Sequence, residues 1–191
     1  MKLIFATHNP GKLIEMQALL SDLDIEVQSA YDLGLEEPIE DGKTLEENSL
    51  IKARYVSEKI GEWAVADDTG IFIKALDGAP GIRCSRWFDG DKAKYTLDKM
   101  KDVPVGERQA YFETVSALVS PEGKEWIFRG KIDGTISLKA IGKSRPKLPY
   151  DLVFIPDGEK RTFSEMTDEE KNQISHRGIA FRKLREFLEK I

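Results

Sequence analysis

Two periods of apolar residues alternate along the first half of the chain. Leu3-Ile4-Phe5-Ala6 is an unbroken apolar run that predicts a buried strand, and Thr7-His8-Asn9-Pro10-Gly11 then predicts a polar turn. From near Lys12 the apolar positions Leu13, Met16 and Leu20 return at helical spacing, and residues 25–27 read as a second strand. Thr44-Leu45-Glu46-Glu47 has the form of a capping box opening a helix with Ala53, Val56 and Ile60 on its core face. Residues 63–66 form a strand running into Asp67-Asp68-Thr69-Gly70, after which Ile71-Phe72-Ile73 resumes extended structure. The middle changes character: residues 111–119, the turn Ser120-Pro121-Glu122-Gly123 and residues 124–132 predict a long β-hairpin. After the loop 139–149 comes a short apolar strand at 152–155. Thr167-Asp168-Glu169-Glu170 is a second capping box, and Phe181, Leu184, Leu188 and Ile191 give the last helix its stripe.

No repeat or linker interrupts this pattern, so residues 1–191 are expected to form a single domain. The expected class is α/β, a mixed β-sheet with a long antiparallel hairpin flanked by helices. Composition narrows the function. Lys and Arg number 29 against 34 Asp and Glu, and the net charge of -5 argues against nucleic acid as partner. A small anion is still compatible, because a local cationic cluster can sit inside an acidic shell. The single cysteine, Cys84, excludes an intramolecular disulfide and fits a reducing compartment. No stretch is apolar enough for a signal peptide or a bilayer span, so the cytoplasm is the expected location and no membrane is a partner.

Three segments carry candidate chemistry. The turn from Thr7 to Lys12 joins a strand to a helix, which places backbone N–H groups and the positive end of the helix dipole together and suits a phosphate. Its plain alternative is a βα turn with an exposed lysine. Glu40 and the pair Asp67-Asp68 form the second: adjacent carboxylates repel and need a cation, base or proton between them. Oxygen ligands that leave room for water and phosphate suit Mg²⁺. Asp-Asp-x-Gly can also be only a turn. The third is Lys171-Asn172-Gln173-Ile174-Ser175-His176-Arg177. Here Lys171, His176 and Arg177 stand in the first turns of helices, as Lys12 does, where a cation opposes the macrodipole unless an anion binds. His8 reads as a surface turn residue, Cys84 as a small buried side chain, and the three tryptophans as core.

Taken together, these segments resemble the inosine triphosphate pyrophosphatase family. The matching pieces are Thr7-His8-Asn9-Pro10-Gly11-Lys12 with Glu15, Glu40-Asp41-Gly42, Thr44 to Asn48 with Lys52-Ala53, and Ala66-Asp67-Asp68-Thr69-Gly70. They continue through Gly78-Ala79-Pro80-Gly81 with Arg86, Tyr150-Asp151, and Glu165 through Lys171 to Ser175-His176-Arg177. The resemblance implies two lobes around a central cleft, Mg²⁺, a homodimer and hydrolysis of ITP, dITP and XTP to monophosphate and pyrophosphate. It further implies that Thr7, His8, Asn9, Pro10, Gly11 and Lys12 hold the triphosphate. Glu40 and Asp68 would bind metal, Asp68 or Asp67 would take the proton, and Lys52 and Thr69 would touch phosphate, with Glu47 nearby. Lys171, His176 and Arg177 would meet the nucleotide, the last two near a 6-keto base. One departure stands out: Leu148 and Pro149, before Tyr150-Asp151, replace an aromatic and a glycine, so the base subsite lacks a stacking ring. Arg83 likewise replaces a common aromatic before Arg86. Other readings are a pyrophosphatase for other modified nucleotides and a non-catalytic nucleotide sensor.

Overall fold

The computed structural model describes all residues, Met1–Ile191. The regular elements are β1 (Lys2–Phe5), α1 (Pro10–Leu19), β2 (Glu26–Ser29), α2 (Leu45–Ile60), β3 (Trp63–Ile73), β4 (Pro80–Gly81), α3 (Lys92–Lys99), β5 (Gln109–Val119), β6 (Glu125–Ile136), β7 (Phe154–Pro156), α4 (Asp168–Ile174) and α5 (His176–Leu188). The strands follow the order β2-β1-β3-β5-β6-β7, with β4 on β3. The chain divides into two compact units. One comprises residues 1–68, 114–130 and 179–191, the other 69–113 and 131–178.

In the first unit β1 runs parallel to both β2 and β3, Leu3 standing opposite Val27 on one side and Trp63 on the other. Successive residues of a strand face opposite ways, and β1 shows it. Leu3 and Phe5 pack with Met16 and Leu20 and with Phe181, Leu184 and Leu188 of α5. Ile4 and Ala6 pack on the other face with Ala53 and Val56 of α2. A strand buried on both faces must be apolar throughout, which accounts for the unbroken run at its start. In the second unit Ile71 and Ile73 of β3 join Phe112, Ile136, Phe154 and Phe163 in a separate core. There the pairing turns antiparallel, β4 against β3 and β7 against β6, so the sheet is mixed as expected.

Several expected boundaries shift, each for a local reason. Helix α1 begins at Pro10, not near Lys12: Asn9 caps it, and proline at the first helical position loses no needed N–H. Strand β3 continues through Asp67-Asp68-Thr69-Gly70 without a turn. Residues 149–152 form a 3₁₀ turn, so the short strand starts only at Phe154. The capping box at Thr167 closes fully, whereas at Thr44 only half forms. Thr44 Oγ1 accepts from the Glu47 N–H, but the Glu47 carboxylate turns to the Lys43 N–H instead. Ile191 lies past the end of α5 and is exposed, outside the stripe that Phe181, Leu184 and Leu188 complete.

One buried charge in the second unit was not foreseen. Arg108, at 3% exposure, points its guanidinium at main-chain carbonyls. Its Nε donates to Ile136 O at 2.8 Å, its Nη1 to Met100 O at 2.8 Å and Val103 O at 3.1 Å, and its Nη2 to Ser137 O at 2.9 Å. Burial depresses its pKa. The fork thereby closes the C-terminal end of α3 and ties it to the end of β6, satisfying carbonyls that a helix end leaves open.

Candidate active site

The first group of candidate residues gathers where β1 ends beside the middle of β3, the Ala6 N–H donating to Val65 O at 2.8 Å. Asn9 caps α1, its Oδ1 accepting from the Gly11 N–H at 3.0 Å, while the Asn9 N–H donates to Thr7 Oγ1 at 3.2 Å. A Cβ on Gly11 would lie 3.2 Å from that same Oδ1, so glycine lets the cap close tightly. His8 is half exposed, stacks on Tyr31 and stands 3.7 Å from Glu37, in keeping with a surface turn residue. Lys12, on the first turn of α1, reaches across to β3 and donates to Asp67 Oδ2 at 2.7 Å.

Lys52 is the hub of this group. It sits on the buried side of α2, and its ammonium donates to Asp67 O at 2.8 Å. Glu40 Oε1 lies 2.8 Å and Asp68 Oδ1 3.7 Å from the same nitrogen. Asp68 Oδ2 also accepts from Asn48 Nδ2 at 3.2 Å, a contact the sequence reading did not assign. Glu40 is held there by its loop. A Cβ on Gly42 would come within 2.5 Å of Asn48 Oδ1 and 2.8 Å of Glu47 Cβ, so only glycine allows the segment to lie against α2.

The charge balance sets the protonation states. Burial alone would lower the Lys52 pKa, but Asp68, Glu40 and Asp67 outweigh it, and the net shift is upward. The Asp68 carboxyl is also raised, first by burial and further by Glu40, against the pull of Lys52 and Asn48. Carboxylates crowded around one ammonium thus decide the Lys52 shift, and at Asp68 they add to what burial has already done. The paired acids therefore belong to a charge cluster and not to a turn.

The second group lies in the other unit. Lys171 and Asp151, each with a side chain 4% exposed, form a buried pair with Nζ to Oδ2 at 2.5 Å. Lys171 also lies over the Phe163 ring. Its position on α4 corrects one expectation: Asp168, Glu169 and Glu170 occupy the first turn, and Lys171 stands in the last turn of this short helix. It therefore does not oppose the macrodipole. His176 is buried and stacked on Phe112 at 4.4 Å between centroids, and Arg177 beside it is buried as well. The Gly178 N–H donates to Ser175 Oγ, which leaves His176 and Arg177 in the first turn of α5 as expected. Tyr150 donates to Cys84 O at 2.9 Å, and burial raises its pKa. Cys84 is half buried, its Sγ donating to Thr69 O at 3.1 Å. Leu148 and Pro149 are half buried at the end of the loop 139–149.

A further cation that sequence reasoning passed over joins this group. Arg145 Nη2 donates to Met166 O, and its Nη1 stands 3.7 Å from Asp151 Oδ2 and 3.3 Å from Asp168 Oδ1. An arginine in a polar loop carries no periodic signal that would separate it from a solvated one.

Fold and site together define an α/β protein that gathers lysines and paired carboxylates at the ends of parallel strands, where such sheets receive their ligands. A profile of the Ham1 family matches residues 3–187, and the chain belongs to that family. It is 43% identical over 195 residues to a dITP/XTP pyrophosphatase of Thermoanaerobacter pseudethanolicus, covering 98% of this chain and 96% of the relative. Among solved structures, a HAM1 protein from Coxiella burnetii superposes with a TM-score of 0.91 at 33% identity, each chain covered in full. The Ham1 protein of Staphylococcus aureus gives 0.88 at 26% identity, with 100% of this chain and 99% of that one covered. No helix of the chain is long and apolar enough to cross a membrane.

Proposed function

We propose that the chain hydrolyses non-standard purine nucleoside triphosphates, dITP, ITP and XTP, to the nucleoside monophosphate and pyrophosphate. The observation that carries this reading is the Lys52 ammonium set among Glu40, Asp67 and Asp68 beside the capped start of α1. Family membership supplies the substrate class, since the bacterial relative above is a dITP/XTP pyrophosphatase.

Thr7, His8, Asn9, Pro10, Gly11 and Lys12 take the triphosphate, with the dipole of α1 and the Lys12 ammonium both favouring negative charge. Thr69 adds a hydroxyl donor. Asp68 accepts the proton of the attacking water, a role served by a carboxyl held above its ordinary range. Asp67 orients the reacting groups through its contact with Lys12. The water oxygen bonds to the α-phosphorus as the bond to the bridging oxygen breaks, and Lys12 and Lys52 stabilise the charge on the departing pyrophosphate. Lys171, His176 and Arg177 receive the nucleoside, with Leu148, Pro149, Tyr150 and Asp151 shaping the base subsite. A 6-keto oxygen satisfies the donors there, whereas a 6-amino group would set donor against donor.

The residues present fit Mg²⁺. Glu40 and Asp68 both face the Lys52 ammonium, which brings two carboxylates together. An ion that takes one or two carboxylates and fills its shell with phosphate oxygen and water suits such a site. Bound there, Mg²⁺ supplies charge neutralisation and orientation of the phosphates. The reading extends to a homodimer working in the cytoplasm, supported by the resemblance and by the single, undisulfided cysteine.

The test is pyrophosphate release with Mg²⁺ across dITP, ITP, XTP and the four common triphosphates. Turnover should be confined to the first three, and Asp68→Asn should lower kcat by roughly 10²–10⁴-fold with the fold intact. Wild-type-like turnover by Asp68→Asn would overturn the assignment.

A further inference from the structure

Arg145 is not placed like a loop arginine whose charge ends in solvent. The loop carrying it is fastened at several points: the Ile141 N–H donates to Leu152 O at 2.9 Å, Thr162 Oγ1 to Ile141 O at 3.2 Å, and Ser164 Oγ to Lys143 O. Residues 145–148 then form a tight turn, with the Leu148 N–H on Arg145 O at 3.1 Å. Pro146 takes its second position and Lys147, at φ 61, its third, which is the pattern of a type II turn. The guanidinium is thus fixed from behind by the turn and along one edge by Met166 O.

Its other edge is unspent. Nη1 is buried and makes no hydrogen bond, Asp168 and Asp151 reaching it only as ion-pair partners. Asp151 already receives Lys171 at 2.5 Å, and Asp168 is largely in solvent. Two cations therefore converge on one buried carboxylate, and one of them keeps a charged donor unsatisfied. A buried charged donor is costly to leave so, and an anionic acceptor relieves the cost best. About a fifth of the Arg145 side chain stays accessible, at 21% exposure, while Nη1 itself is shielded, so an acceptor that reaches it must displace the solvent-facing Asp168 carboxylate 3.3 Å away.

We propose that Arg145 selects xanthine nucleotides over hypoxanthine nucleotides, an inference that rests on the nucleotide reading above and names the preferred substrate within it. Xanthine carries a second carbonyl oxygen that hypoxanthine lacks, and its ring loses a proton near neutral pH. Both features offer the Nη1 edge an acceptor, the second with a full charge. Leu148, half buried at the end of the same turn, has no ring to stack on either base, so discrimination by charge stands in for affinity from stacking.

The experiment compares kcat/KM for XTP and ITP in the wild type, Arg145→Gln and Arg145→Lys, across the pH range in which the xanthine ring ionises. Arg145→Gln should lose about tenfold or more on XTP, mainly through KM, and little on ITP, with Lys recovering part of the loss. The XTP-to-ITP ratio should climb with pH in the wild type and flatten in Arg145→Gln. Equal losses on both substrates would reduce Arg145 to a support for Asp151, and unchanged kinetics would remove it from recognition; either result overturns the proposal. Calorimetric titration of the same proteins with xanthosine and inosine monophosphates reads the preference without turnover. If the wild type hydrolyses neither triphosphate, the nucleotide reading fails, while this titration still decides whether Arg145 distinguishes the two bases.

Discussion

Replacing Arg108 by methionine tests whether a charge can act purely as a main-chain clasp. The side chain is 3% exposed, and four carbonyls, of Met100, Val103, Ile136 and Ser137, accept from it within 3.1 Å. Methionine fills much of the volume but offers no donor, so these carbonyls lose their partner together. Each hydrogen bond to a charged group is worth about 1.5–3 kcal/mol, although the arginine's own desolvation is recovered when it is removed. The balance resembles breaking a buried ionic contact by deleting one member, about 3–5 kcal/mol. Domains have only about 5–15 kcal/mol in hand, so the variant should be visibly weakened. At roughly 2–4 °C per kcal/mol for a chain of this size, the melting temperature should fall by about 6–20 °C. Urea unfolding followed by tryptophan fluorescence gives the free-energy change directly. Arg108→Lys should fall between the two, since it keeps the charge but not the planar fork. A loss below about 1 kcal/mol in Arg108→Met would refute the clasp, placing the site among ordinary surface positions.

Other outcomes follow from the acid cluster. The bond from Asn48 lowers the Asp68 pKa, so Asn48→Ala should raise that pKa and move the acid limb of the pH–rate profile to higher pH, as the proton acceptor is lost earlier on acidification. An unmoved limb would separate Asp68 from the rate-controlling ionisation. Gly42→Ala forces a methyl against Asn48 and Glu47 and should cost about 1–3 kcal/mol by thermal unfolding. It should also depress kcat more than Asn48→Ala, because the Glu40 segment must move away from Lys52.

The sequence exposed the elements whose signals are local. The hairpin is legible because two long runs flank one turn, and the Thr167 box because its two bonds span three residues. The strand runs straight through Asp67-Asp68-Thr69-Gly70, where the sequence pattern has extended structure pause and resume at Ile71, since each of those residues favours turns when considered alone. The strand is held by its neighbours in the sheet, and what its acids meet comes from far away: Lys12 from α1, Asn48 and Lys52 from α2, none adjacent in sequence. The candidate lysines and acids were legible as residue types, but their pairing was not. That Lys171 meets Asp151, or that His176 lies flat on Phe112, depends on packing that no spacing encodes. Arg108 and Arg145 escaped notice for the same reason, the first meeting main-chain carbonyls scattered along the chain and the second one carbonyl and the carboxylates of Asp151 and Asp168.

Lys52 has a consequence beyond recognition. A nest of acids left to itself would spring open or take up protons, and its shape would depend on whatever salt surrounds it. Here the polypeptide furnishes its own counter-ion, anchored in a helix and sealed from water. The corner where β3 emerges can thus assemble during folding without waiting for a dissolved ion, and an incoming anion meets a scaffold already set in place.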